Sequence, residues 1–318
     1  MKLAILDDYA NMALTLADWG SLPGEVEIAT FDRHIADPEE VAAVLQPFDI
    51  VCAMRERTPF PRTLIERLPN LKLLVTSGMR NAAIDVAACA ERGIPVSGTA
   101  SDAQGTIEMA WALTMAVMRN LPQEDRATRE GRWQTSVGKN LKGRTIGLVG
   151  LGRLGGRMAE IANFFGMRVI AWSENLTDER AAECGAERVD KDELFRRADV
   201  VSVHLLLSKR TRGLIGAREL GLMKPDACFV NTSRGPIVDE AALIDCLRQR
   251  RIAGAALDVF DQEPLPRDHP LLGLDNVIIS PHMAYVTEET YRLFYGEMVE
   301  DIAAWLKGEP IRLLSKPA

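Results

Sequence analysis

The sequence predicts an α/β chain of two doubly wound parallel-sheet domains. Three observations carry that prediction. Strand-like and helix-like segments alternate through both halves of the 318 residues, the pattern that builds parallel sheets covered by helices. A glycine-rich loop opens the second series, and the first series has none. The length exceeds the roughly 100–200 residues of an ordinary domain.

The first series fills the opening hundred residues. Segments 2–8 (KLAILDD) and 25–31 (EVEIATF) read as strands. Residues 38–48 carry apolar groups at helical spacing, 49–55 (DIVCAMR) is strand-like, 61–69 helical and 72–78 (KLLVTSG) strand-like. Residues 84–93 read as a helix closed by Gly93, and 94–99 as a short strand. A long helix is expected next, capped by Ser101 or Asp102 and running to Pro122, with an apolar face broad enough for burial. Residues 123–143 are polar and read as a surface helix and loop. The second series has strands at 144–150, 167–172, 198–207, 227–233, 252–260 and 276–282, with helical segments between them. Residues 287–310 form an amphipathic helix.

Composition narrows the function. Hydrophobic residues at 47% and charged residues at 26% are globular proportions, not those of a disordered chain. Acidic residues outnumber basic ones 45 to 38, without a basic stripe, so no nucleic-acid partner is expected. The five cysteines form no CxxC and the four histidines have no ligand spacing, so neither a disulfide framework nor a metal site is expected. A reducing, cytoplasmic setting fits. The run after Lys2 is too short for a signal-peptide core. The apolar stretch 107–118 contains Glu108 and is too short to span a bilayer, so no membrane partner is expected either.

The chemistry begins at Gly150-Leu151-Gly152-Arg153-Leu154-Gly155, between a strand and a helix. In that setting the first glycine permits a tight turn and the second lets a pyrophosphate approach the backbone. The third lets the helix pack on the strand, with its N-terminal amides toward the phosphates. The next strand ends at Trp172. Ser173 then stands about 20 residues past the loop, where a carboxylate usually binds the adenosine ribose and repels a 2′-phosphate. Glu174 follows it. Ser173 leaves NAD and NADP both open, with NAD favoured if Glu174 substitutes.

Three other strand ends carry reactive groups. VNTSRGPIVDE puts Arg234 just after a strand, ALDVFDQEPLP puts Asp258 within one and Glu263 beyond it, and ISPHMAY puts His282 after the last. Ligands of doubly wound sheets bind outside the carboxyl ends of the strands. An arginine, a carboxylate and an imidazole there can bind a carboxylate and transfer a proton.

With GLVGLGRLG, HLLLSKRTRGLI (204–215), VNTSRGPIVDEAAL (230–243), AALDVFDQEPLP (255–266) and SPHMAY (280–285), the sequence resembles the D-isomer-specific 2-hydroxyacid dehydrogenases over nearly its whole length. The resemblance implies a Rossmann cofactor domain (100–287) inserted into a flavodoxin-like substrate domain (1–99 and 288–318). It also implies NAD or NADP as cofactor, a small 2-oxoacid or 2-hydroxyacid as substrate, and a homodimer with the long helix near its interface. Catalysis falls to Arg234, Glu263 and His282: Arg234 holds the substrate, His282 transfers the proton and Glu263 orients the ring.

The resemblance further implies a dinucleotide site lined by Gly150, Gly152, Arg153, Leu154, Gly155, Ser173 and Glu174, by His204, Leu205, Leu206 and Thr211, by Thr232, Ser233 and Arg234, and by Asp258, His282 and Ala284. Asp258 corresponds to the residue that holds the nicotinamide carboxamide. VTSGMRNAAID resembles a substrate-carboxylate loop, with the amides of Ser77, Gly78 and Met79 as donors and Arg55 of MRERT nearby. Two departures stand out: Leu206 where proline is common and Ala284 where glycine is frequent. Of the other histidines, His204 reads as structural or groove-lining, and His34 and His269 as surface residues. A dinucleotide-sensing interaction module is the competing reading from a different class, and turnover distinguishes the two.

Overall fold

A computed structural model describes residues 1–314. The chain packs as two compact units, Met1–Asp102 with the chain from Val286 onward, and Ala103–Tyr285. Each holds one all-parallel sheet.

The first unit contains β1 (Lys2–Ile5), β2 (Glu27–Thr30), β3 (Ile50–Ala53), β4 (Leu73–Thr76) and β5 (Val96–Gly98), in the order β2-β1-β3-β4-β5. β3 and β4 are buried at every residue, which explains their continuous apolar sequence: helices cover both faces of a parallel sheet. Asp37 caps the helix Pro38–Leu45 by accepting from the Glu39 amide, and Pro38 supplies the fixed φ that the first turn needs. The helix Glu288–Leu306 packs on β4 and β5 and buries Phe294, Tyr295, Met298 and Ile302. Asp301 lies fully buried on the same helix. Arg312 donates to it through Nε at 2.8 Å, yet burial dominates and pushes its carboxyl up to about 7. The tail runs beside β5, where Gly98 N donates to Arg312 O and Leu314 N to Val96 O.

The second unit contains β6 (Thr145–Val149), β7 (Arg168–Trp172), β8 (Glu187–Arg188), β9 (Val200–Val203), β10 (Cys228–Asn231), β11 (Gly254–Leu257) and β12 (Val277–Ile279). The order is β12-β11-β10-β9-β6-β7-β8. From β6 the chain builds outward to β7 and β8, then returns to build β9 to β12 on the other side. The strand order therefore reverses beside β6, where doubly wound sheets bind ligands. Phe195, Phe229 and Leu247 belong to one core cluster of this sheet, and Leu148, Met158 and Val230 to another.

The structure corrects the sequence reading in four places. The long helix spans only Gln104–Met118, and its start at Ala103 has no side-chain cap, so neither Ser101 nor Asp102 plays that part. It stops because Asn120 turns left-handed (φ 51°), and Pro122 opens a second helix, Leu121–Arg129, instead of closing the first. Several ladders end before the apolar sequence does, because the backbone leaves through a left-handed residue: Asp7 after β1, Arg55 after β3, Gly78 after β4, Gly150 after β6 and His282 after β12. The two-residue edge strand β8 is too short to leave a pattern. Neither His34 nor His269 is a surface residue, with side chains only 17% and 13% exposed. No helix among the described residues is long and apolar enough to cross a membrane.

Candidate active site

The glycine loop leaves β6 through Gly150 at φ 105°, a conformation that costs an L-residue roughly 1–2 kcal/mol. A Cβ there would lie 2.5 Å from the His204 carbonyl oxygen, and one on Gly155 would lie 2.1 Å from the Gly150 oxygen. A Cβ on Gly152 would meet nothing within 4 Å. Two glycines thus close the turn while the third, at the start of the helix Arg153–Phe164, faces open space. Arg153 is exposed and Leu154 half-buried at that helix start. His204 braces the turn. Its amide donates to Val149 O, and its Nε2 lies 2.9 Å from Ser202 Oγ. Desolvation pushes the ring down to about 4, so it is neutral at physiological pH.

Leu205 packs against the glycine turn, and the Thr211 hydroxyl donates to Leu206 O, fixing a loop on which Leu206 is 80% exposed. β7 ends in a bend in which Ser173 is half-buried and Glu174 exposed.

After β10, Asn231 shapes the next turn. Its Oδ1 accepts from Ser233 N, its Nδ2 donates to Arg234 O, and Ser233 Oγ donates to Val203 O. Thr232 Oγ1 is buried without a hydrogen-bond partner among the described residues. Arg234 is half-buried, with Nη1 donating to Ser233 O. Gly235 must be glycine, since a Cβ would lie 2.1 Å from the Phe260 carbonyl carbon. That contact seats the Arg234 turn against the loop carrying Glu263.

Glu263 and His282 meet. His282 Nδ1 lies 2.5 Å from Glu263 Oε2, and Glu263 Oε1 accepts from Phe260 N at 3.0 Å. With both oxygens engaged, the carboxylate holds one ring nitrogen and fixes the orientation of the ring. The Tyr285 ring stands edge-on to the imidazole at 5.6 Å. His282 occupies left-handed backbone (φ 54°), and Asp258 supports that turn. This fully buried carboxylate accepts from Ser280 Oγ (2.6 Å), Met283 N (2.7 Å) and Ala284 N (2.9 Å). Burial raises its pKa and the three hydrogen bonds oppose the rise. Hydrogen bonds to a charged group contribute roughly 1.5–3 kcal/mol each.

In the first unit, Arg55 is left-handed (φ 52°); its amide donates to Ser77 Oγ and its carbonyl accepts from Asn81 Nδ2. Its guanidinium lies where a Cβ on Gly78 would be, 2.2 Å from Nη1. Here the expected cradle of three amides needs correction. Ser77 N donates to Ala53 O and Gly78 N to Thr99 Oγ1, which extends the sheet and closes the loop. Among the described residues Met79 N has no acceptor, and its side chain is 45% exposed, not packed.

Comparison with known proteins places this geometry. The family model for the D-isomer specific 2-hydroxyacid dehydrogenase NAD binding domain matches residues 111–284. The chain belongs to that family. It is 38% identical over 316 residues to the D-3-phosphoglycerate dehydrogenase of Archaeoglobus fulgidus, covering 98% of this chain but 58% of that protein. The chain thus spans little more than half the length of that relative. It is 39% identical over 256 residues to the glyoxylate reductase of Aeropyrum pernix, covering 77% of this chain and 76% of the relative. A crystal structure described as a putative D-3-phosphoglycerate dehydrogenase oxidoreductase from Ralstonia solanacearum superposes with a TM-score of 0.92 at 35% identity, covering 98% of this chain and 96% of that one.

Membership gives one departure a structural meaning. Ala284 is tolerated where the family often has glycine because its backbone is not among the left-handed positions, and its amide is used by Asp258. Sequence reasoning missed Asn231 and Ser280, which only shape turns. The asparagine two residues before Ser233 was the available signal, since short polar side chains bond their own backbone at turns.

Proposed function

We propose that this chain is an NAD(P)-dependent 2-hydroxyacid dehydrogenase that works reductively on a small 2-oxoacid such as glyoxylate or hydroxypyruvate, as a homodimer in the cytoplasm. The observation that carries the reading is the 2.5 Å Glu263–His282 pair at the carboxyl edge of the sheet that holds the glycine loop. A nicotinamide dinucleotide fits that loop. Gly152 opens on unfilled space, and Thr232 Oγ1 is a buried polar atom awaiting a partner. Gly150, Gly152 and Gly155 would hold its pyrophosphate, and Thr232 would serve its nicotinamide side. When bound, the dinucleotide supplies or accepts the hydride.

The protein's residues handle charge and protons. Arg234 bridges the substrate carboxylate and carbonyl oxygen, countering the negative charge that grows on that oxygen. Within the first unit, Arg55 and the Met79 amide are the groups suited to a carboxylate. His282, protonated and held by Glu263, donates a proton to the oxygen through Nε2; in oxidation it accepts one. The family relationship and the activities of the relatives support this assignment.

The test is turnover of NADH and NADPH against glyoxylate, hydroxypyruvate, pyruvate, phenylpyruvate and branched 2-oxoacids. No turnover across the screen would overturn the reading in favour of a dinucleotide-sensing module. The cofactor choice has its own test. With Ser173 in place of the usual carboxylate, NADPH use is expected alongside NADH, and Ser173→Asp is expected to move the kcat/KM ratio toward NADH. A wild-type enzyme that already rejects NADPH by several orders of magnitude would assign the discrimination elsewhere.

A further inference from the structure

The loop carrying Glu263 is held at both ends by one carboxylate outside the reacting groups. We propose that Glu240 and His269 are a positioning pair that sets the Glu263–His282 hydrogen bond. The proposal rests on the roles of Glu263 and His282 stated above. Glu240 is the first residue of the helix Glu240–Arg248, shortly after the Arg234 turn. Its Oε2 accepts from Asp261 N at 3.2 Å, and its Oε1 lies 3.1 Å from His269 Nε2. His269 Nδ1 accepts from Leu271 N at 3.4 Å, so the ring's proton sits on Nε2 and points at Glu240. One carboxylate therefore ties the loop at residue 261 and again at residue 269, with Glu263 between. The next amide back, Phe260 N, is the one that holds Glu263 Oε1.

The clasp is not a loose surface pair. Its side chains are 13% and 17% exposed, so the interaction escapes most of the solvent screening that weakens exposed ion pairs. Gly235 runs so close to the 260–261 backbone that a Cβ on it would lie 2.1 Å from the Phe260 carbonyl carbon and 2.6 Å from Asp261 N. Releasing Asp261 N would let Phe260 N drift and lengthen a 2.5 Å contact. Asp239, Arg212 and His269 act on Asp261 beside Glu240, and Glu263 and Asp258 act on His282.

The readout is the pH titration of the His282 ring, followed by nuclear magnetic resonance with labelled histidine. Only four histidines are present, so the signals are few. This measurement needs no turnover, so its failure is distinct from failure of the dehydrogenase reading, which the 2-oxoacid screen decides. Glu263→Gln removes an opposite charge and is expected to move the His282 titration to lower pH. His269→Leu, which leaves every carboxylate in place, is expected to move it in the same direction by a smaller amount through displacement, and Glu240→Ala by at least as much because it also removes a charge. His269→Gln, whose amide donates to Glu240 while its oxygen accepts from Leu271, is expected to restore the wild-type curve. Thermal melts confirm that each variant folds, and the His269 pair decides the matter if Glu240→Ala does not. The proposal is overturned if Glu263→Gln moves the titration while Glu240→Ala and His269→Leu leave it at the wild-type midpoint. It is equally overturned if His269→Gln is displaced as far as His269→Leu.

Discussion

The carboxyl edges of the two sheets solve the same problem in opposite ways. Each must leave a parallel ladder abruptly, and each does so through left-handed residues. In the second unit the exit at β6 is a glycine, and the adjoining Gly152 opens on space. In the first unit the exits after β1 and β3 are Asp7 and Arg55, which hold left-handed backbone despite their side chains. Their polar groups are used at once: Asp7 accepts from Thr58 Oγ1 at 2.8 Å, and the Arg55 amide donates to Ser77 Oγ. The Ser77 and Gly78 amides are likewise spent internally. One edge offers bare backbone suited to phosphate, and the other offers side chains braced by their own backbone. The architecture is shared, and the exits after β1, β3 and β6 differ in which residue holds the left-handed position.

The contrast can be broken most forcefully at His282, the one exit of the second sheet that bears a reactive side chain. His282→Ala is expected to lower kcat for 2-oxoacid reduction by about 10²–10⁴, the usual range for a lost general acid. Dinucleotide binding, followed by fluorescence, is expected to persist; losing both together would mean His282 is structural. Glu263→Gln is expected to act more mildly and with pH. Reduction needs the protonated ring and loses the carboxylate that favours it, so its activity declines at lower pH than in the wild type. Oxidation needs the neutral ring and begins at lower pH. Profiles of kcat/KM in both directions check the sign, and unmoved profiles would make Glu263 a bystander.

Gly78→Ala probes the other edge. It places a side chain at φ 87° and against the Arg55 guanidinium. The expected result is a KM for the 2-oxoacid raised about tenfold, the equivalent of roughly 1.4 kcal/mol, with dinucleotide affinity unchanged. A shift in dinucleotide affinity instead would erase the distinction between the edges.

The smallest effect belongs to Asp301, away from either edge. Its carboxyl is raised from 3.8 to about 7, so the fold favours the neutral acid. That contribution to stability is complete below the unfolded value and is lost as pH rises through 7. Asp301→Asn is expected to flatten the decline in melting temperature between pH 4 and pH 7, by about 2–4 °C for each kcal/mol involved. Parallel curves for wild type and variant would refute it.

The strands were legible because parallel strands buried on both faces are written as apolar runs, as in β3 and β4. The places where those runs stop pairing were not. Nothing in KLAILDD marks Asp7 as left-handed, and the partner of its side chain, Thr58, lies 51 residues away in the chain. The long helix was misread at Asn120 and Pro122 because an apolar pattern continues across a break that only the backbone shows. Arg234, Glu263 and His282 were named from motifs, whereas Asp258 as the support of the His282 turn and Glu240 as the partner of His269 were not. Those partnerships join segments well apart in the chain, and spacing along it carries no trace of them.

The division of the chain has a consequence for its birth. The first sheet and most of its core are encoded before residue 103, but the helix that packs on β4 and β5 begins at Glu288. A polypeptide emerging from the ribosome therefore completes everything its middle unit requires while the outer unit still lacks Phe294, Tyr295 and Met298. The strands made before residue 103 must wait, with apolar surface uncovered, for the helix that begins at Glu288 to arrive.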